Sequence, residues 1–175
     1  QTSVFLFLKK MIFKFYEGGK MKVTKYNVYL DDDRKNILVK ESSSYCKEVD
    51  SLNSADKVAL MLNNTFCAKK LAEEHLWLMA LDMKCHLIGV FELSHGTVNG
   101  SLANPREAFV RLCLCGAAQF ILAHNHPSGD PTASAEDINA TKKFQVISKI
   151  MGIDMVDHII IGTNKITSMK RSGII

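Results

Sequence analysis

Two histidines one residue apart, His124 and His126, are followed by Ser134 and Asp137. Imidazole nitrogens and a carboxylate are donors that hold zinc, and three such ligands leave a position free for water or substrate. Residues i and i+2 of a strand share a face, so a strand ending at this pair presents both rings together. Asp137 must then come from the next element, brought back by the loop between. The same residues admit a second description. Ser134 and Asp137 fit the N-cap and third position of a helical capping box, and each histidine is then only a polar group at a strand end. The residues alone leave both descriptions open.

A strand and a helix have to position these groups. Gln119–Phe120–Ile121–Leu122–Ala123 is an apolar run that turns polar at His124, as a buried strand does where it meets a loop. Pro127–Ser128–Gly129–Asp130–Pro131 is that loop, and a helix follows from Ala135 to near Gly152 with Ser134 as its cap. Upstream, 21–30 and 37–41 read as a hairpin around the polar turn 31–36, and 42–53 as a loop. A helix capped by Ser54 follows, and then strands over 75–82 and 85–93. Asn104, Pro105 and Glu107 open a further helix, with Glu107 in a capping box. Segments 154–162 and 165–169 are expected to be paired strands. Elements of both kinds alternate, so the expected class is α/β (α+β).

The chain has 175 residues, 47% of them apolar, which is enough to build one core. Its five cysteines are odd in number and lack a disulfide-scaffold spacing, so reduced thiols and a cytoplasmic location are expected. Cys113 and Cys115 fall in a helical run and are read as small core residues. The formal charge is +4, but residues 1–20 hold four lysines and one glutamate, leaving 18 bases against 17 acids beyond them. A nearly neutral body is weak support for a nucleic-acid partner. The apolar run in 1–20 is broken by Lys9 and Lys10, so no membrane segment is expected. Glu17–Gly18–Gly19–Lys20–Met21 can be encoded by a bacterial ribosome-binding sequence just ahead of an ATG. Residues 1–20 are therefore expected to be a non-native leader, with 21–53 a hairpin extension.

The order His124-x-His126, seven residues, Ser134, two residues, Asp137 resembles the JAMM motif of the JAB/MPN metallopeptidases. The flanking text, G-T-V-N (96–99), N-P-R-E (104–107), I-L-A-H-N-H-P-S-G-D-P (121–131), S-A-E-D-I (134–138) and D-H-I-I-I-G (157–162), is similar to the RadC-like branch of that superfamily. The resemblance covers 54–175 and implies a catalytic domain there, with a central mixed sheet flanked by helices. It implies Zn2+ on His124, His126 and Asp137, hydrolysis of a peptide or isopeptide bond in a peptide or protein substrate, and help from the Ser134 hydroxyl at the oxyanion. It also implies a glutamate, well upstream, that takes and returns a proton. Glu74 opens a predicted strand 50 residues before His124 and matches that place; Glu73, Glu92 and Glu107 are the competitors. The DNA-repair role attached to the RadC name is not carried over.

A zinc deaminase would need H-x-E and a later P-C-x-x-C. His126 stands where that glutamate would be, and no C-x-x-C occurs. The remaining alternative is a noncatalytic or DNA-associated accessory protein. A homodimer through sheet edges is left open. Asp157 and His158 are expected to be a satisfied core or edge pair, with support of a metal ligand as the alternative, His75, His86 and His95 surface or packing residues, and Trp77 core.

Overall fold

The computed structural model describes residues 20–96 and 104–175. The expected leader, apart from Lys20, and most of the 96–99 motif lie outside the described residues.

One mixed sheet of seven strands organises the chain, in the order β2-β1-β4-β3-β5-β6-β7. The strands are β1 (Met21–Leu30), β2 (Asn36–Cys46), β3 (Glu74–Leu81), β4 (Leu87–Gly96), β5 (Gln119–Asn125), β6 (Asp154–Ile161) and β7 (Ile166–Ser168). Among the described residues three α-helices, α1 (Ala55–Phe66), α2 (Pro105–Leu114) and α3 (Ala135–Met151), complete the α+β architecture that was expected. No helix among the described residues is long and apolar enough to cross a membrane.

β3 and β5 occupy the middle of the sheet. They are antiparallel to each other, and β5 runs parallel to β6 on its other side. Both faces of β5 are covered, and six of its seven residues are buried, so Phe120 to Ala123 form an unbroken apolar run rather than an alternating one. On one face Trp77, Met79, Ile121 and Ala123 meet Val58, Met61 and Leu62 of α1. On the other, Leu76, Leu78, Phe120 and Leu122 meet Phe109 and Leu112 of α2 and Phe144 of α3. Phe109 meets Phe120 edge-on at 5.6 Å between ring centres, and Phe144 lies 6.3 Å from each of them. This aromatic cluster fixes both helices to β5.

The buried stripe of α3 is Asp137, Thr141, Phe144 and Ser148, at the 4-3-4 spacing of one helix face. Its lower part fills the core and its upper part delivers polar groups to the end of β5. Ser134 caps the helix in the predicted box. Its hydroxyl oxygen accepts from Asp137 N–H, and Asp137 Oδ2 accepts from Ser134 N–H. Gly152 closes the helix with φ 65°.

The structure corrects several readings. β2 runs on to Cys46 where a loop was expected from residue 42. Pairing with β1 overrides the weak strand preference of the serines, and Ser43 Oγ meets Thr24 Oγ1 at 3.0 Å. Cys113 is exposed and Cys115 half-buried, because α2 buries the face of Pro105, Ala108, Phe109 and Leu112. Asn104 caps α2 through Arg106 N–H, while the Glu107 carboxylate lies against Arg106 and Arg111 rather than closing a box.

Candidate metal centre

The carboxyl end of β5, the loop after it and the first turn of α3 bring the proposed residues together. One donor atom each from Glu74, His124, His126 and Asp137 lies within 4.8 Å of every other. His124 Nε2 is 3.0 Å from His126 Nε2 and 3.2 Å from Asp137 Oδ1; His126 Nε2 is 3.6 Å from Asp137 Oδ2. Glu74 Oε1 stands 4.0 Å from His124 Nε2. His124 and Asp137 are deeply buried, whereas Glu74 and His126 reach solvent, so the group is closed below and open above.

The partners of the two rings fix what their facing nitrogens carry. His126 Nδ1 lies 2.8 Å from the Asp130 carbonyl, which can only accept, so Nδ1 bears the hydrogen. For His124 the assignment runs through three groups. Thr141 donates its hydroxyl to the Asp137 carbonyl at 2.7 Å. Its oxygen therefore accepts from His158 Nδ1, 2.6 Å away. His158 Nε2 is then an acceptor and takes the hydrogen of His124 Nδ1 at 2.9 Å. Burial pushes His158 well below its ordinary value, which keeps it neutral as this chain requires. Both Nε2 atoms are left with lone pairs aimed at each other, a repulsive arrangement unless a cation lies between them.

Burial alone would raise the Asp137 carboxyl, but hydrogen bonds from His124 and His126, made when a facing Nε2 carries a proton, outweigh it and hold the group well below the usual carboxylate range. The hydrogen bond to Asp137 in turn pulls His126 upward, against the effect of burial. With no metal bound, a proton shared in this cluster relieves the repulsion; a divalent cation can do the same. Bonds of about 2.0–2.1 Å to a tetrahedral zinc would separate ligand atoms by about 3.3 Å. The observed spacings bracket that value, so the donor set fits zinc.

Of the competing glutamates, Glu73 is exposed and lies before the start of β3, and the metal-ligand group takes Glu74 in its place. Glu92 pairs in register with Trp77, on the opposite face of the sheet. There it accepts from His75 Nδ1 at 2.6 Å and from Lys25 at 2.8 Å, with His95 Nδ1 at 3.7 Å. His75, Glu92 and His95 form a second cluster with metal-ligand spacing, but Lys25 and His75 already engage the Glu92 carboxylate. His75 also stacks on Trp77, which is core as expected. Glu107 lies on exposed α2 surface.

Two polar residues carry more than the sequence reading gave them. His158 supports His124 instead of forming a self-contained pair with Asp157, whose carboxylate binds Ser168 and the backbone of His158 and Lys170. Asn125, between the two histidines, is 2% exposed and reaches the start of β3. Buried polar residues beside apolar runs, Asn125 beyond Phe120–Ala123 and His158 before Ile159–Ile161, were the available signal.

The model of the RadC-like JAB domain family matches residues 52–174. The chain belongs to the RadC-like JAB domain family. A UPF0758 protein of Desulfitobacterium hafniense is 39% identical over 124 residues, covering 71% of this chain and 54% of the relative. UPF0758 proteins of Desulforamulus reducens and Clostridium botulinum are 47% and 45% identical over 107 residues, covering 61% of this chain and 47% of each relative. The chain thus spans about half the length of the curated relatives it matches. The RadC-like JAB domain accounts for β3 to β7 and all three helices, and the candidate metal centre falls wholly inside it.

Proposed function

We propose that this chain carries a zinc-dependent hydrolytic site that cleaves a peptide or isopeptide bond. The observation that carries the reading is the pair of imidazole Nε2 atoms facing each other 3.0 Å apart beside the Asp137 carboxylate. His124, His126 and Asp137 would hold the metal. Bound there, zinc would supply Lewis acidity, lowering the pKa of water and polarising the amide carbonyl.

The residues of the chain do the rest. Glu74, on the solvent side of the histidines, is placed to take a proton from the attacking water and to return it to the leaving amine. One water is consumed, and a carboxylic acid and an amine are released. His158 and Thr141 hold His124 in the tautomer that leaves Nε2 free. The Ser134 hydroxyl, 2.7 Å from Asp137 Oδ2, stands beside the site and can turn its hydrogen toward a developing oxyanion. In the geometry seen here it orients Asp137. Membership in the RadC-like JAB family supports hydrolysis at this coarse level.

A panel of linear peptides and isopeptide-linked lysine substrates, offered to zinc-loaded chain, tests the reading. Cleavage that chelation abolishes is expected. Absence of zinc-dependent cleavage across both substrate kinds contradicts it.

A further inference from the structure

Asn125 occupies the position between the two histidines and faces away from them. Its backbone pairs with Ile161 of β6. Its side chain turns the other way, toward β3. Asn125 Oδ1 accepts from His75 N–H at 2.8 Å, and Asn125 Nδ2 donates to the Glu73 carbonyl at 2.9 Å. The partners settle the orientation of the amide, because an N–H needs the oxygen and a carbonyl needs the nitrogen.

These two bonds bracket Glu74. The backbone ladder between β3 and β5 runs from Leu81 opposite Gln119 to Leu76 opposite His124 and stops there. A carboxamide has the donor and acceptor of a peptide group. The Asn125 side chain therefore extends the ladder past its last backbone pair, over the residues that flank the glutamate. A slip of one residue in β3 would move Glu74 to the far face and bring a neighbour into its place. Asn125 resists that slip, and because its own position is set by His124 and His126, it ties the register of the glutamate to the register of the ligands.

We infer that Asn125 is a positioning residue that holds Glu74 over the metal centre through the backbone on either side of it. The inference rests on the proposed role of Glu74 as proton carrier. The Asn125 side chain bonds the β3 backbone rather than the metal-binding atoms.

The test uses the full chain, zinc-loaded, as Asn125→Ala and Asn125→Ser, each alone and with Glu74→Gln. Zinc affinity is expected to stay at the native level in both single variants. The kcat is expected to fall about 10- to 100-fold with little change in KM, as a misplacement of about 1 Å does. In the Glu74→Gln background the Asn125 substitutions should cost nothing further, because two residues acting through one group are not additive. The His75 amide should exchange with deuterium slowly in the native chain and faster in Asn125→Ser, with Leu78 to Leu81 unaltered. Native kcat in the variants, losses that multiply in the double variants, or zinc loss equal to that of His126→Ala would each overturn the inference. If the native chain cleaves nothing, the proposed hydrolysis fails, and exchange alone decides the clamp: an unprotected His75 amide in the native chain, or equal rates in native and Asn125→Ser, overturns it. That native measurement stands even if neither variant folds.

Discussion

His158 Nε2 lies 2.9 Å from His124 Nδ1, with both rings buried and tilted 54° to each other. The hydrogen between them belongs to His124, because Thr141 obliges His158 to donate from its other nitrogen. A residue on β6 therefore decides which nitrogen of a β5 residue faces the metal centre. Thr141→Val keeps the shape of the side chain and removes the hydroxyl that anchors this relay. It should weaken zinc binding about 10- to 100-fold, the usual cost of losing such support. Competition with a chromogenic chelator measures it; native affinity in Thr141→Val would show that the relay does not set the tautomer.

Gly162 follows β6 and lies under the loop that carries His126. A Cβ at this position would meet the Gly129 carbonyl and crowd Pro131 and the Lys165 carbonyl. The obstacle is mostly backbone, so the loop must move, and with it the Asp130 carbonyl that holds His126 Nδ1. Gly162→Ala is expected to lower zinc affinity although no ligand is changed. A chelator titration that gives the native value would mean that the loop yields without disturbing His126.

Glu92 should matter for stability rather than turnover. Burial alone would raise its carboxyl, but hydrogen bonds from Lys25 and His75 hold it below the ordinary value of 4.5. The folded pKa is therefore the lower one, so the stabilisation is complete above about 4.5 and is lost as pH falls through the folded value. The Lys25–Glu92 bond also joins β1 to β4, where backbone pairing is confined to Lys25 and Val90. Glu92→Gln should destabilise the chain at pH 7 by less than about 1 kcal/mol, given the part-exposed pair. The difference should vanish in acid. Urea unfolding of both proteins from pH 3 to 7 checks it; a gap that widens toward acid would reverse the assigned sign.

Much of this arrangement was legible in the residues. Ser54 and Ser134 cap helices where expected, because a cap is a local hydrogen bond written in adjacent positions. The spacing of His124, His126 and Asp137 marked them as candidates, with a plain capping box as the other description. What local sequence could not reveal depends on strands meeting across the sheet. Ser42 to Cys46 join β2 only because β1 lies alongside. His158 is 34 residues from the imidazole it orients, and Asn125 is 50 from the amide it binds. Glu92 stood as a competitor to Glu74 until the pairing with Trp77 put it on the other face.

Glu74→Gln separates metal binding from proton transfer. The amide keeps the size of the side chain and loses its basicity. Zinc content should remain native while cleavage falls by about 100-fold or more, the range assigned to a positioned acid–base group. Glu107→Gln, exposed on α2 and outside the metal-ligand group, should leave both unchanged. Full activity in Glu74→Gln would remove this residue from the chemistry.

The most direct test of the centre is to count the metal it holds. Chain purified after zinc loading and exhaustive dialysis, then measured by inductively coupled plasma mass spectrometry, should contain one zinc per molecule. His126→Ala and Asp137→Asn, checked for native fold by circular dichroism, should contain almost none. Equal zinc in the native chain and both folded variants, or none in any of them, would contradict the account.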